Sequence, residues 1–115
     1  MALTTESTKT ESLTPVHWLA VVLLVITGII HLYAGVVEGR LPVSLAGVGF
    51  LVGVGLFFLD YRRRVLYVIG IFYTGVQIPL WYVANVGEFT PLGYADKAVQ
   101  IVIIVVLAFL YWRNE

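Results

Sequence analysis

The chain has 115 residues and no formal net charge; 60% of its residues are hydrophobic and only 12% are charged, and its mean hydropathy is +0.94. This number of charged residues is too small to cover the surface of a water-soluble domain. The composition therefore predicts a protein that is embedded in a lipid bilayer. The balanced charge, with no basic tract longer than one arginine triplet, argues against nucleic-acid binding. The absence of cysteine excludes disulfides, thiolate metal sites and cysteine nucleophiles.

The N-terminal segment, residues 1–14, is polar and rich in Ser and Thr, which predicts a flexible cytoplasmic tail before a single transmembrane domain at residues 15–115. The apolar run after the tail is too long for a secretory h-region and lacks a clear small-residue cleavage site, which indicates an uncleaved first helix. Thr14 is a candidate N-cap, and Pro15 suits the first position of a helix.

Four segments reach or approach the roughly 20 residues that a helix needs to cross about 30 Å of hydrocarbon. The sequence predicts helices over residues 15–37, 41–59, 65–86 and 92–112. Because the connections are only a few residues long, consecutive helices must be antiparallel neighbours. The predicted fold is therefore all-α, an integral membrane up-and-down four-helix bundle in the cell membrane.

The basic residues predict the orientation of this bundle. Five lie on the side of the two termini and two on the opposite side: Lys9, Arg62, Arg63, Arg64 and Arg113 against Arg40 and Lys97. Cytoplasmic segments of membrane proteins carry an excess of Lys and Arg, so this distribution predicts that both termini are cytoplasmic.

The second helix carries a small-residue pattern that predicts close helix packing. Ala46, Gly49 and Gly53 share one helical face at about 100° per residue, and the spacing of the two glycines permits close backbone contact. Packing within the bundle is the simplest interpretation. An interface between copies of the chain is the alternative, so the sequence leaves homo-oligomerisation open.

Both histidines, His17 and His31, lie on the first helix. Fourteen positions separate them, which places them about 40° apart around the helix and about 21 Å apart along it. This spacing resembles the histidine pairs by which membrane b-type cytochromes hold two stacked haems. The chain has no third histidine, so six-coordinate iron would require a symmetric dimer or a partner subunit. A haem b or quinone-linked electron carrier is therefore an alternative, and we predict no cofactor.

A second group of polar residues is predicted in the outer half of the bundle, namely His31, Gln77, Asp96 and Gln100. At about 1.5 Å per residue, all four lie about 6–12 Å below the outer helix ends. Polar groups at this depth are costly unless they are satisfied, so mutual hydrogen bonds that set helix register are the simplest interpretation. A pocket for a small ligand or a proton, open to the outside, is the functional alternative.

No catalytic or metal-binding set is recognisable in the sequence. One histidine and one carboxylate in the outer half fall short of three metal ligands, and there is no nucleophile–base–acid set or phosphate loop. We therefore predict a non-enzymatic protein, either an accessory subunit or a self-associating membrane protein. A small transporter or proton channel that uses the outer polar residues is a further alternative.

Several segments also carry a family resemblance: LTPVHW and GIIHLYAG in the first helix, LDYRRRVLYVIGIFYTGVQIPLWY across the second connection and third helix, and GYADKAVQ in the fourth. Over about residues 13–115, the chain resembles an uncharacterised family of small four-helix membrane proteins from halophilic archaea. Its general shape is also similar to that of the DoxX-like group of four-helix membrane proteins. The resemblance implies the topology and no specific activity.

Overall fold

The computed structural model describes residues 13–113, and over this range the chain forms four helices and no strand. They are α1 (Pro15–Glu38), α2 (Leu41–Phe58), α3 (Arg63–Ala84) and α4 (Pro91–Arg113). Each is long and apolar enough to cross a membrane, so the prediction of an all-α chain with four such helices is confirmed. Nearly all of the predicted tail at residues 1–14 lies outside the described residues.

Local sequence signals determine where α1 begins and ends. At its start, Thr14 Oγ1 accepts a hydrogen bond from the His17 backbone N–H at 3.3 Å, and His17 Nδ1 accepts one from the Thr14 N–H at 2.9 Å. This reciprocal capping satisfies two backbone donors that would otherwise lack partners. At its end, Gly39 adopts the left-handed conformation, with φ at 68°, which glycine allows without a steric penalty.

The four helices pack unequally against one another. Helix α1 packs most extensively against α2, and α3 against α4; α1 also contacts α4, whereas the backbones of α2 and α3 approach each other at few points. Helices α1 and α2 approach each other closely at Gly28 and Gly47, where a Cβ added to Gly47 would lie 2.6 Å from the Gly28 carbonyl oxygen. Small residues allow backbones to approach this closely, which matters in lipid because dispersion drives helix association there.

The face predicted to pack tightly, formed by Ala46, Gly49 and Gly53, turns towards α3 and is in close contact with it over only part of its length. Tyr73 of α3 donates a hydrogen bond to the Ala46 carbonyl at 2.8 Å, and its hydroxyl occupies the space beside Gly49. A Cβ added to Gly53 would meet no atom within 4 Å. The bulky tyrosine separates the backbones of α3 and α2, whereas Gly47, on another face of α2, is in close contact with α1.

The two ends of the bundle differ in character, and we name them for use below. The "site end" is the end with the α1–α2 and α3–α4 connections. The "arginine end" holds the α2–α3 connection and the last residues of α4, with Arg62, Arg63, Arg64 and Arg113. The apolar core lies in the half towards the arginine end and includes the buried side chains of Ala20, Val21, Val54, Phe57, Tyr67, Ile103, Val106, Leu107 and Leu110.

Candidate functional site

Six polar side chains from α1, α3 and α4 meet in the interior of the site end. This "polar cluster" consists of Thr27, His31, Gln77, Asp96, Lys97 and Gln100. Within it, Thr27 and Gln100 are fully buried, and Asp96, Lys97 and His31 are 4%, 7% and 8% exposed. Buried groups of this kind are stable only when their hydrogen-bonding capacity is satisfied.

Asp96 is at the centre of the cluster. Its Oδ2 lies 3.1 Å from Lys97 Nζ, and its Oδ1 accepts a hydrogen bond of 2.6 Å from Thr27 Oγ1. His31 Nδ1 lies 3.8 Å from Oδ2. When His31 is neutral, the negative charge of Asp96 and the positive charge of Lys97 cancel. The cluster then contains an ion pair but has no net charge.

Two glutamines extend the cluster from α4 to α3. Lys97 Nζ donates to Gln100 Oε1 at 2.8 Å, and Gln100 Nε2 donates to Gln77 Oε1 at 3.0 Å. Because the ammonium can only donate, it sets the orientation of the Gln100 amide, which in turn sets that of Gln77. The amide nitrogen of Gln77 is then left to donate elsewhere.

The imidazole of His31 is oriented by the helix that carries it. Its Nδ1 lies 2.8 Å from the Thr27 carbonyl oxygen, and a carbonyl can only accept, so Nδ1 carries the proton in the neutral ring. The other ring nitrogen, Nε2, is then an acceptor. The ring packs on Phe50 of α2, with a centroid distance of 5.5 Å.

A cavity of about 260 Å³ leads from the site end of the bundle to this cluster; we call it the "site-end cavity". Four members of the cluster line it: His31, Gln77, Asp96 and Lys97. Most of the other lining residues are apolar, and Glu38, Arg40 and Asn85 lie towards its mouth. Arg40 Nε is 3.6 Å from Glu38 Oε1 there.

The structure brings together the four residues that the sequence placed at similar depth, but they have different positions. His31, Gln77 and Asp96 line the cavity, whereas Gln100 lies behind Lys97 and supports it. Sequence reasoning counted Lys97 only as a basic residue on the side opposite the termini, and it missed Thr27. Two spacings could have indicated them: Lys97 precedes Gln100 by three residues and Thr27 precedes His31 by four, so each pair shares a helical face.

His17 lies at the arginine end, away from the polar cluster. Its Nδ1 takes part in the α1 cap, and its ring packs against Phe57 at a centroid distance of 5.7 Å. His17 does not line the site-end cavity, whereas His31 does. The two histidines therefore have different surroundings, and the arrangement offers no argument for haem ligation by the pair.

The fold and the site together define a class: a small protein of four helices, each long and apolar enough to cross a membrane, with a buried Asp96–Lys97 ion pair below a cavity at one end. The chain belongs to the family of unknown function DUF7475, whose model matches residues 3–111. No curated protein and no solved structure matches the sequence. The predicted likenesses to haloarchaeal and to DoxX-like proteins stay predictions.

Proposed function

We propose that this protein is a non-enzymatic membrane subunit that binds a small, neutral, polar molecule in the site-end cavity. The observation that carries the proposal is the Asp96–Lys97 pair, which is almost fully buried and yet borders a cavity. Moving an ion from water into a low-dielectric interior costs roughly several kcal/mol in lost solvation. Attraction between paired ions offsets only part of this cost. Ionisable residues inside membrane spans therefore commonly mark binding or transport sites.

The hydrogen bonds of the cluster leave specific groups for a ligand. Lys97 has three N–H donors, and Asp96 and Gln100 take two of them. The Gln77 amide nitrogen offers further donors, and His31 Nε2 offers an acceptor. These three side chains all line the cavity. A molecule with a carbonyl-type acceptor and a donor would complement them.

Charge and size restrict the class of ligand further. The ionic groups of the cluster cancel, so the cavity has no surplus charge that would select an anion or a cation. Its volume of about 260 Å³ lies just below the roughly 300–1,000 Å³ typical of sites for drug-sized ligands. Apolar walls, including Val43, Leu80 and Trp81, suit a compact molecule with one polar edge.

A filling substitution tests this proposal. Ala34 lines the cavity, whereas Ala98 is exposed on α4 and does not. We expect protein purified from its native membrane to retain a low-mass neutral compound, detectable by mass spectrometry of the extracted ligand fraction. Ala34→Phe should lose this compound, because the ring occupies its space, and the control Ala98→Phe should retain it. Equal retention by both variants, or none by the unmodified protein, would contradict the proposal.

We also infer that the site end faces the outside and that both termini are cytoplasmic. Lys97 is buried in the polar cluster, so Arg40 is the basic residue exposed at the site end within the described range. The arginine end exposes Arg62, Arg64 and Arg113. This contrast supports the orientation that the positive-inside rule predicts.

Cysteine labelling tests the orientation cleanly, because the chain contains no cysteine. Glu88 and Tyr61 are exposed in the connections at opposite ends. In intact cells, a membrane-impermeant maleimide should label Glu88→Cys and should reach Tyr61→Cys only after the membrane is permeabilised. The reverse pattern would place the site end on the cytoplasmic side.

The alternatives from the sequence receive less support from the geometry. Below the polar cluster, the fully buried Ile103 and Leu110 and the nearly buried Leu107 fill the interior. Within residues 13–113, mainly apolar side chains therefore separate the polar cluster from the arginine end, which argues against a proton path through a single chain. Self-association and an accessory role are both compatible with a ligand-binding subunit.

A further inference from the structure

Lys97 presents a primary amine to the site-end cavity. The residue is only 7% exposed, and it lines the cavity together with Asp96 and Gln77. Most lysines lie in water, where the strongly hydrated ammonium has no lone pair that can attack a carbonyl carbon. A lysine that is removed from water and borders a cavity is the kind that forms imines with carbonyl compounds.

Asp96 is the base that can free this amine. Its Oδ2 lies 3.1 Å from Lys97 Nζ, which is within reach of a direct proton transfer. Transfer of one proton from Nζ to Oδ2 converts the ammonium and the carboxylate into an amine and a carboxylic acid. This change removes both charges from the low-dielectric interior, where each of them is costly.

The hydrogen bonds of Lys97 hold the amine in place and leave one direction open. Nζ donates to Gln100 Oε1 at 2.8 Å, and Asp96 is its second partner. A neutral amine has two N–H groups and one lone pair. After rotation about the Cε–Nζ bond, the two N–H groups keep these partners and the lone pair takes the third position, on the side of the cavity.

The other groups around Nζ suit a flat carbonyl compound. Lys97 Nζ lies 5.7 Å from the centroid of the Trp81 ring, which also lines the cavity, so a flat molecule that reaches Nζ packs beside this ring. The Gln77 amide nitrogen can donate to the carbonyl oxygen and polarise it. His31 Nε2 can accept from a hydroxyl group on the same molecule.

We infer that Lys97 captures an aldehyde from the site-end cavity as a protonated imine, with the Asp96 carboxylate as its counter-ion. This inference rests on the proposed function, because the aldehyde is then the ligand of the cavity. The amine attacks the carbonyl carbon, and one proton moves from nitrogen to oxygen to give a carbinolamine. Asp96 returns its proton to the new hydroxyl group, the C–O bond breaks and water leaves. The C=N nitrogen keeps one proton, and no oxidant or reductant takes part.

The charge of the polar cluster is the same before and after capture. The ammonium and the protonated imine each carry one positive charge, and the Asp96 carboxylate lies beside both. The reaction therefore leaves no uncompensated charge in the interior, which would be strongly unfavourable. The bound aldehyde replaces the ammonium without a new counter-ion.

Two matched probes separate covalent capture from ordinary binding in the full-length protein. The aldehyde probe is meta-hydroxybenzaldehyde, which has a carbonyl, a hydroxyl group and a flat ring. Its control is meta-hydroxybenzamide, which has the same groups but a carbonyl carbon that does not form imines. The purified protein is incubated with the aldehyde and sodium cyanoborohydride, which reduces an imine to a stable amine. Peptide mass spectrometry then gives the rate of modification of each lysine.

Lys9 serves as the reference within the same molecule, because the chain has two lysines, Lys9 and Lys97. Lys97 should be modified at least about tenfold faster than Lys9, a modest part of the roughly 10²–10⁴-fold that a positioned acid or base contributes. The rate at Lys97 should saturate with aldehyde concentration, and excess amide should suppress it. A buried ammonium with a structural role alone would react more slowly than Lys9.

Three variants locate the reaction. Ala34→Phe fills the cavity, so it should abolish the fast modification of Lys97 and leave Lys9 unchanged. The control Ala98→Phe, on an exposed position of α4, should change neither rate. Lys97→Arg keeps a positive charge beside Asp96 but has no amine that forms an imine, so each molecule should carry one adduct fewer.

Modification of Lys97 no faster than that of Lys9, or equally fast in Ala34→Phe and Ala98→Phe, would overturn the inference. The ratio of the two lysine rates is measured in the unmodified protein, so it decides the question even if a variant does not fold. Retention of a neutral compound without reaction at Lys97 would leave the proposed function standing and overturn this inference alone. Fast reaction at Lys97 without any retained compound would support capture and contradict the retention expected above.

Discussion

Replacing Asp96 with Asn should destabilise the folded bundle by about 3–5 kcal/mol, the cost typical of removing one partner from a buried ion pair. The carboxylate lies 3.1 Å from the Lys97 ammonium, and its loss leaves that charge buried without a counter-ion. The unfolding free energy can be measured by titrating the protein from a mild detergent into sodium dodecyl sulfate and following the helical signal.

The exposed ion pair at the mouth of the cavity provides the control. Glu38 and Arg40 are 3.6 Å apart, and their side chains are 45% and 38% exposed. Exposed pairs contribute about 0–1 kcal/mol, so Glu38→Gln should have little effect on unfolding. An Asp96→Asn effect as small as that of Glu38→Gln would show that Asp96 and Lys97 are not a buried pair.

The double substitution separates the structural role of the pair from its role in binding. Lys97→Met alone should also be destabilising, because it leaves Asp96 uncompensated, whereas Asp96→Asn combined with Lys97→Met should recover most of the lost stability. The recovered double variant should still fail to retain the neutral compound, because it lacks the Lys97 donor. Additive losses of stability would contradict the coupling.

Replacing Gly47 with Ala should destabilise the bundle by about 1–3 kcal/mol, the usual cost of overpacking. The added methyl would lie 2.6 Å from the Gly28 carbonyl oxygen and 2.9 Å from the Leu32 backbone nitrogen. Both of those atoms belong to the backbone of α1, so neither can rotate away. Helices α1 and α2 must therefore separate, which the same unfolding titration detects as a loss of free energy.

Gly53→Ala is the matched control for this prediction. An added methyl there meets no atom within 4 Å, and alanine favours a helix over glycine by roughly 0.5–1 kcal/mol. The control should therefore be neutral or slightly stabilising. If the two substitutions had equal effects, the close contact of α1 and α2 would not lie at Gly47.

The polar cluster also holds the helices together, and this structural role is compatible with ligand binding. Thr27 and Asp96 join α1 to α4, and Gln100 and Gln77 join α4 to α3. Interhelical hydrogen bonds contribute to helix association where lipid removes the hydrophobic driving force. The simplest interpretation of the sequence was that these polar groups form hydrogen bonds with one another. The same hydrogen bonds hold the residues of the site in place.

The sequence by itself determined the four helices, because a predominantly apolar run of sufficient length has one stable conformation in a bilayer. The cap at Thr14 follows from contacts within four residues and was equally readable. The common depth of His31, Gln77 and Asp96 also followed from position along each helix, since the rise per residue is constant.

Only the tertiary structure decided which face of each helix meets which neighbour. Rotation of a helix about its axis depends on side-chain packing across helices, which no local pattern encodes. Lys97 was therefore counted only as a basic residue on the side opposite the termini, although it is buried against Asp96. For the same reason the small-residue face containing Gly53 read as a tight contact, although Tyr73 holds α3 away and leaves a cleft there.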